Sequence, residues 1–192
     1  MLELNPALLI GKGRDRACYQ HPDNEDLCIK VALRSEKQTR REIAYFRFLQ
    51  RHNKDLSHLA LFRGMENTNL GPGAAFDLIR NDDGQVSMTL RQAIEARQIS
   101  EPELTALIAE LRDYLYSEVI CVRDLSPNNL MLQIGAERQT LMIIDGVSNP
   151  GVNPLNLRWR WLAHRFLDKS WNSLQRKLEA LPTLAHGTAE SA

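Results

Sequence analysis

The stretch Val122-Arg123-Asp124-Leu125-Ser126-Pro127-Asn128-Asn129-Leu130-Met131-Leu132 decides how the rest of this chain is interpreted. It contains an aspartate, an asparagine five residues later, and then an apolar run. The aspartate could accept a proton from an incoming hydroxyl, and the asparagine could hold a metal ion against phosphates. Asp and Asn are also ordinary turn residues, so the interpretation depends on the fragments around them. The pattern is typical of the catalytic loop of a phosphotransferase.

Length and composition indicate one ordinary globular domain. The chain has 192 residues, 43% hydrophobic and 25% charged, which is enough to build a core. Basic and acidic residues balance at 24 each, so net charge favours no class of partner. The cysteines lack zinc spacing and suggest reduced thiols in a cytoplasmic protein: Cys18, Cys28 and Cys121. Neither a signal peptide nor an apolar run near the roughly 20 residues of a bilayer span is present, so no membrane partner is expected.

Hydrophobic periodicity predicts an α+β fold, with strands and one helix first and mainly helices later. Strands are predicted at 7–10, 16–20, 27–33, 59–65, 74–79, 130–134 and 140–144. Helices are predicted at 35–51, at 88–97, after a cap at Ser100, and at 155–178. The turn at 81–84 is a candidate boundary between two parts, and the small polar residues of 181–192 predict a disordered tail.

Two glycines, Gly11 and Gly13, lie between the first two predicted strands. At this spacing, backbone N–H groups can approach phosphate oxygens without a Cβ in the way. Arg16 stands where a third glycine would complete the phosphate-binding pattern. Considered alone, the two glycines fit a tight hairpin turn better.

Lys30 lies in an alternating strand and shares a face with Cys28. A lysine between small residues, under a glycine-rich hairpin, can reach the α- and β-phosphates of a nucleotide. Cys28 leaves room there for a flat ring. A solvent-facing lysine on a half-exposed strand explains the same pattern at least as well.

Glu42 belongs to an apolar stripe of the first predicted helix, together with Tyr45, Phe46 and Leu49. An unpaired charge on such a stripe would be costly, so a partner such as Lys30 is expected. Alternatively, Glu42 sits at the edge of the stripe and pairs with Arg41 or another nearby arginine in water. Glu36 is another possible partner for the lysine, but its own stripe is mostly polar.

An apolar strand delivers Asp145, and Gly146 lets the chain turn sharply after it. This arrangement presents a carboxylate to a hard cation such as Mg²⁺. A simple strand-end turn is the alternative. Because a single predicted hairpin separates Asn129 from Asp145, we expect Asp124, Asn129 and Asp145 at neighbouring strand ends.

The order of these fragments resembles the protein-kinase-like fold. More closely, the chain resembles the PhoP regulatory network protein (YrbL) family of bacteria over about residues 8–180. Three segments carry that resemblance: Gly11–Pro22, Cys28–Val31 and Asp124–Asn129. The resemblance implies one compact two-lobed domain over 1–180. Its N-lobe, about 1–80, would hold an antiparallel sheet and one helix, and its C-lobe, about 84–180, would be mainly helical.

The resemblance also implies that the protein binds ATP with Mg²⁺, in a bacterial regulatory context. The residues that would cover or contact phosphates are Gly11, Gly13 and Lys30, with Glu42 as the ion-pair partner of the lysine. Asp124 would orient or deprotonate the acceptor, and the metal ligands would be Asn129 and Asp145. The adenine would lie between Cys18, Cys28 and a hinge segment that includes Asp77 and Ile79.

Several departures from the kinase pattern restrict the expected activity. Val122 replaces a histidine of the catalytic loop, and Ser126 replaces the second lysine of many protein kinases. Gly146 follows Asp145 directly, and the segment 147–154 is too short for a regulated activation segment. The chain therefore resembles compact atypical or small-molecule kinases more than regulated protein kinases.

Three functions remain open at this point. The first is an ATP-dependent phosphotransferase with an unknown small-molecule or protein acceptor. The second is a nucleotide-binding pseudokinase that acts as a regulatory or interaction module. The third is nucleic-acid binding through basic clusters around the first and last predicted helices, the latter interleaved with Trp159, Trp161 and Trp171. Tryptophans on a core stripe beside a solvated basic face explain that clustering better.

Overall fold

The computed structural model describes residues 1–149 and 160–181 of the chain. Within those residues it contains two antiparallel sheets and four α-helices, so the expected mixed α+β class is confirmed. A five-stranded sheet is formed by the first part of the chain, and a three-stranded sheet by strands that follow it. The tail was predicted at 181–192, and its residues after 181 lie outside the described residues.

The five-stranded sheet has the strand order β1-β2-β3-β5-β4, and all neighbouring strands are antiparallel. The bounds are β1 Leu9–Lys12, β2 Arg16–Gln20, β3 Leu27–Ala32, β4 Phe62–Thr68 and β5 Gly71–Asp77. In the central strand β3, alternation sends successive side chains to opposite faces. Ile29 and Val31 join a small core with Leu4 and Ala75, whereas Cys28 joins the main core on the other face. Lys30 shares the face of Cys28, as predicted.

The helix α1, Lys37–Arg51, covers that second face of the sheet. Phe46 packs edge-on against Phe76 of β5, with 6.0 Å between ring centroids. Burying a side chain of this size contributes roughly 2–3 kcal/mol. Glu42 lies on the same buried side of the helix and is only 2% exposed. Packing of the apolar stripe therefore brings a carboxylate to the face of the sheet that carries Lys30.

The second sheet lies among the remaining helices. Its strands are β6 Met88–Thr89, β7 Leu130–Ile134 and β8 Gln139–Ile143, and the helices are α2 Leu90–Glu95, α3 Glu101–Glu118 and α4 Arg160–Glu179. The predicted cap of α3 is a reciprocal capping box between Ser100 and Glu103. Leu111, Leu115 and Leu174 are fully buried in the main core, which α1 also joins.

The segment before β4 ties the two sheets together. The amide of Ala60 donates to the carbonyl of Ile143 at 2.9 Å, and the amide of Ile143 donates to the carbonyl of His58 at 2.8 Å. The predicted strand at 59–65 therefore begins too early, because its first residues pair with β8 instead. The strand that pairs with β4 was predicted at 74–79. In the structure this strand, β5, begins three residues before that range, at Gly71, because Thr68 and Gly71 pair directly around a tight turn.

Two further predicted elements differ from the structure in the first residues of their range. Residues 7–10 were expected as a strand, but Pro6–Leu8 is a short 3-10 helix and β1 follows it. Pro6 has the φ that a first helical turn needs, and the side chain of Asn5 accepts a hydrogen bond from the Ala7 amide at 2.9 Å. The predicted helix at 88–97 begins only at Leu90, because residues 88–89 pair with β7.

The last helix, α4, overlaps the helix predicted at 155–178, and residues 155–159 of that prediction, Trp159 included, lie outside the described residues. Trp171 is buried in the core at 5% exposure, as the core-stripe interpretation requires, whereas Trp161 is 55% exposed. In the described part of the chain, no helix is both long enough and apolar enough to cross a bilayer.

Candidate functional site

A cavity of about 920 Å³, here called the central cavity, lies where the β1–β2 hairpin, β3 and α1 meet the start of β7 and the end of β8. Small-molecule sites in proteins usually measure about 300–1,000 Å³, so a nucleotide would fit. Its lining includes the following residues of the predicted site: Gly11, Gly13, Cys18, Lys30, Glu42, Asp124, Asn129 and Asp145.

The three residues expected at neighbouring strand ends all line the central cavity. Asn129 directly precedes β7, and its carbonyl accepts a hydrogen bond from the Ile144 amide at 3.0 Å. Asp145 follows β8 by two residues. The amide of Arg123 donates to the carbonyl of Gly146 at 2.7 Å, which holds the segment carrying Asp124 beside Asp145. Backbone pairing therefore fixes the spacing of all three side chains.

Gly146 makes this close approach possible. Its φ is +80°, a left-handed conformation that favours glycine. A Cβ at this position would lie 3.1 Å from the backbone nitrogen of Asp124 and 3.3 Å from its carbonyl oxygen. The glycine that the sequence placed after Asp145 thus provides both the turn and the room for the Asp124 backbone.

Asn129 is oriented by its contacts with Asp124. Its side-chain nitrogen donates to the Asp124 carbonyl at 2.8 Å and to Asp124 Oδ2 at 3.2 Å. Because the side-chain nitrogen donates to Asp124, the amide oxygen lies on the other side of the planar amide group. This oxygen is available as a metal ligand. An amide oxygen next to a carboxylate is suitable for a hard cation.

Lys30 projects from β3 toward the end of β8. Its ammonium donates a hydrogen bond to the carbonyl of Ile144 and lies 4.2 Å from the centroid of the Phe76 ring. The side chain is largely buried, with the residue 7% exposed. The contact with Ile144 brings Lys30 close to Asp145, the next residue of the chain, and both line the central cavity.

The partner of Glu42 is a residue that the sequence interpretation did not assign to the site. Arg16 Nη1 donates to Glu42 Oε2 at 2.6 Å, and Arg16 Nη2 forms an ion pair with Asp145. No ion pair joins Lys30 to Glu42 within the described residues, so the predicted pairing is replaced by Arg16. Arg16 is longer than Lys30 and its planar fork can bind two carboxylates at once.

Burial and charge act on this group in opposite directions. Burial opposes a charged Arg16, but the carboxylates of Glu42 and Asp145 outweigh it and raise the pKa of the guanidinium. Burial also raises the pKa of Glu42, while the positive charges of Lys30 and Arg16 oppose that rise. The side chains of Arg16 and Glu42 are 7% and 3% exposed, so their interaction is little screened by water.

Cys18 and Cys28 lie on adjacent strands at diagonal positions, because Cys18 pairs with Lys30 in the register. The neighbouring Cys28 thiol, assisted by the charges of Lys30 and Arg16, lowers the pKa of Cys18 to about 7 against the effect of burial. The neighbouring Cys18 side chain, together with burial, raises the pKa of Cys28. Cys18 lines the central cavity, whereas Cys28 is buried in the main core behind it.

The predicted hinge residues have structural partners of their own. The carboxylate of Asp77 accepts hydrogen bonds from the Leu61 amide at 3.0 Å and from Arg63 Nε at 2.6 Å. Ile79 is buried in a small cluster with Ala60, Met131 and Met142. Neither hinge residue is among those that line the central cavity. Their predicted role toward adenine stays a prediction.

The donor set of the central cavity fits a magnesium-bound nucleotide. No group of three or more His, Cys, Asp or Glu within residues 1–149 and 160–181 could hold a metal ion by itself. Mg²⁺ with a nucleotide normally needs only one or two carboxylates, because phosphates and water complete its shell. Asp145 and the amide oxygen of Asn129 would hold the ion, and Lys30 would face the phosphates.

Two charged residues beside Asp124 were not assigned to the site by the sequence analysis. Arg123 lines the central cavity next to Asp124. Lys177, from the distant helix α4, donates to Asp124 Oδ1 at 3.0 Å. Alternation along β2 could have placed Arg16 on the face of Cys18, but no local pattern distinguishes Lys177 from the other basic residues of α4.

Comparison with known proteins identifies the family of the chain. The model of the family "PhoP regulatory network protein YrbL" matches residues 2–179. The chain is 29% identical over 192 residues to a protein of Escherichia coli (strain K12) described as uncharacterized protein YrbL, covering 96% of this chain and 90% of that protein. A protein of Shigella flexneri with the same description matches to the same extent. With the family model spanning nearly its whole length, the chain belongs to the PhoP regulatory network protein YrbL family.

Proposed function

We propose that this protein is an ATP- and Mg²⁺-dependent phosphotransferase of a compact, atypical kinase type, acting in a bacterial regulatory context. In this proposal residues of about 1–80 form an N-lobe and residues of about 84–180 form a C-lobe. The observation that carries it is one cavity lined by Lys30, Asp124, Asn129 and Asp145 together. These four residues supply the three side-chain types, Lys, Asp and Asn, that phosphoryl transfer uses for phosphate contact, acceptor activation and metal binding.

The proposed chemistry uses the chain's residues for positioning and charge. Lys30 would hold the α- and β-phosphates, and the hairpin glycines would cover them with backbone N–H groups. Asp124 would accept the proton of the acceptor hydroxyl while that oxygen forms a bond to the γ-phosphorus. The bond from the γ-phosphorus to the bridging oxygen breaks, and ADP leaves with that oxygen.

The metal would supply neutralisation of the phosphate charge when bound. Asp145 already forms an ion pair with Arg16. The guanidinium must therefore share or release the carboxylate when Mg²⁺ binds. Asn129 is held in position by its two contacts with Asp124.

The three free cysteines accord with the reducing cytoplasmic location that we propose.

Transfer of label from γ-labelled ATP to the components of a bacterial extract tests the proposed activity. Asp124→Asn should abolish the transfer while leaving the fold unchanged, because Asp124 is exposed. Asp113→Asn, an exposed aspartate on α3, is the matched control and should behave as the wild type. Equal labelling by wild type and Asp124→Asn would contradict the assigned base.

A nucleotide-binding pseudokinase is the second candidate, and one contact favours it. The ion pair of Arg16 with Asp145 occupies the carboxylate that would bind the metal. If this pair persists when nucleotide binds, the protein would hold ATP without transferring phosphate and act as a regulatory or interaction module. Tight binding of Mg-ATP, with no labelling of any extract component by the wild type, would support this candidate over the first.

A further inference from the structure

The carboxylate of Asp124 is held at both of its oxygen atoms. Lys177 Nζ donates to Oδ1 at 3.0 Å, and Asn129 Nδ2 donates to Oδ2 at 3.2 Å. Lys177 also approaches the carbonyl of Leu125 at 3.4 Å. Two contacts on opposite oxygens fix the plane of the carboxylate. Of the two donors, only the ammonium of Lys177 is charged.

The contact joins parts of the chain that are far apart in sequence. Lys177 comes from the last turn of α4, 53 residues after Asp124. The packing of α4 against α3 and the core, with Leu174 fully buried one turn earlier, sets the position of the lysine. The geometry of Asp124 therefore depends on a helix that carries no recognisable motif of its own.

Fold stability gives no strong reason for this ion pair. The side chains of Lys177 and Asp124 are 40% and 64% exposed, and an exposed pair stabilises a fold by only about 0.2–1 kcal/mol. Compensation of negative charge at the site gives a better reason for the ion pair. Asp124 and Asp145 both line the central cavity, and both would repel a polyphosphate.

Each of these carboxylates has its own cation in the structure. Arg16 pairs with Asp145, and Lys177 pairs with Asp124. Ser126, the residue of the Asp124 stretch where a lysine could have provided the charge locally, is uncharged and buried. The positive charge next to Asp124 is therefore supplied from α4.

We propose that Lys177 is a positioning residue that holds Asp124 in place and offsets its negative charge beside the terminal phosphate of ATP. This inference rests on the proposed function, because it requires the terminal phosphate to lie next to Asp124. It makes α4 part of the site at its acceptor end. The consequence is a selective one: Lys177 should matter for ATP, which has the terminal phosphate, and not for ADP.

Calorimetric titration of the full chain with Mg-ATP and with Mg-ADP tests the role of Lys177. Lys177→Met should weaken Mg-ATP binding about fivefold and change Mg-ADP binding by less than about twofold. Lys177→Arg should restore most of the Mg-ATP affinity, because it keeps the charge. Lys169→Met is the matched control, since Lys169 is an exposed lysine about two turns earlier on the same helix.

A double variant shows whether Lys177 acts through Asp124. In an Asp124→Asn background, Lys177→Met should no longer weaken Mg-ATP binding, because the charge to be offset is gone. A loss that persists in that background, or a loss that is equal for Mg-ATP and Mg-ADP, would overturn the positioning role. Unchanged Mg-ATP affinity of Lys177→Met would also overturn it. A wild-type protein that binds neither nucleotide would instead refute the proposed function itself.

Discussion

The guanidinium of Arg16 forms an ion pair with the carboxylate of Asp145, although 129 residues separate the two along the chain. The same guanidinium binds the buried Glu42 of α1. One side chain of β2 therefore joins the hairpin, the helix and the segment after β8. The arrangement fixes the shape of the central cavity and gives the buried carboxylate of Glu42 an ion-pair partner.

The buried pair of Arg16 and Glu42 predicts a strong dependence of stability on both partners. Glu42→Ala should lower the free energy of unfolding by about 3 kcal/mol, because it removes one of the two carboxylates that compensate a buried guanidinium. Replacing both residues by methionine should cost less than Glu42→Ala, since the buried guanidinium is removed together with its buried carboxylate, and Asp145, which then loses its ion pair, is 30% exposed. Urea-induced unfolding measures these differences.

The exposed pair of Glu36 and Arg40 on the same helix is the control. Its side chains are 43% and 78% exposed, so Glu36→Ala should change the free energy of unfolding by no more than about 0.5 kcal/mol. If Glu42→Ala costs no more than Glu36→Ala, the pair of Arg16 and Glu42 has no structural importance.

Tyr45 links α1 to the stretch that carries Asp124. Its hydroxyl oxygen accepts a hydrogen bond from the buried amide of Cys121 at 2.9 Å. Tyr45→Phe leaves this amide without its acceptor and should destabilise the fold by about 1–3 kcal/mol, measured as a lower midpoint in thermal unfolding. Tyr116→Phe removes an exposed hydroxyl bound to Asp168 and should have little effect. Equal midpoints for the two variants would refute the anchoring role of Tyr45.

The thiol of Cys18 should be the most reactive of the three cysteines near neutral pH. The neighbouring Cys28 thiol lowers the pKa of Cys18 to about 7, whereas burial raises the pKa of Cys121 to about 11. The thiolate is the reactive form, so alkylation of Cys18 by iodoacetamide should rise through pH 7 and level off above about pH 8. Peptide mass spectrometry at a series of pH values measures this rate.

Removing the neighbouring Cys28 thiol checks the cause of that reactivity. Cys28→Ala should move the rise in Cys18 alkylation to higher pH, toward the range of an ordinary thiol. Because Cys18 lines the central cavity, saturating Mg-ATP should also slow its alkylation. A wild-type rate that is still rising steeply between about pH 8 and pH 9 would contradict the lowered pKa.

Local sequence patterns predicted the elements whose cause is local. The capping box at Ser100 predicted the start of α3, and the two glycine-linked apolar runs predicted β7 and β8 within one residue. Strand alternation placed Lys30 on the inner face of β3. These features depend on side chains a few residues apart, so a single sequence contains the information.

Contacts between distant segments were not predictable in the same way. Alternation gives the face of β2 on which Arg16 lies, but not that the end of β8 lies across from it. The periodicity of α4 predicts a buried face with Leu174, but not that Lys177 at its edge meets Asp124. Both contacts depend on how whole elements pack, and that packing is determined by the combined core rather than by either residue.

Calorimetric titration with Mg-ATP tests the central claim most directly, because the claim is that one cavity binds this nucleotide. The wild type should bind Mg-ATP, and Lys30→Ala and Asp145→Ala should each weaken binding by more than about tenfold, roughly 1.4 kcal/mol, while thermal unfolding shows a folded protein. Asp113→Ala, on the exposed face of α3, should bind as the wild type does. Unaltered affinity in both site variants, or no binding by the wild type, would contradict the account.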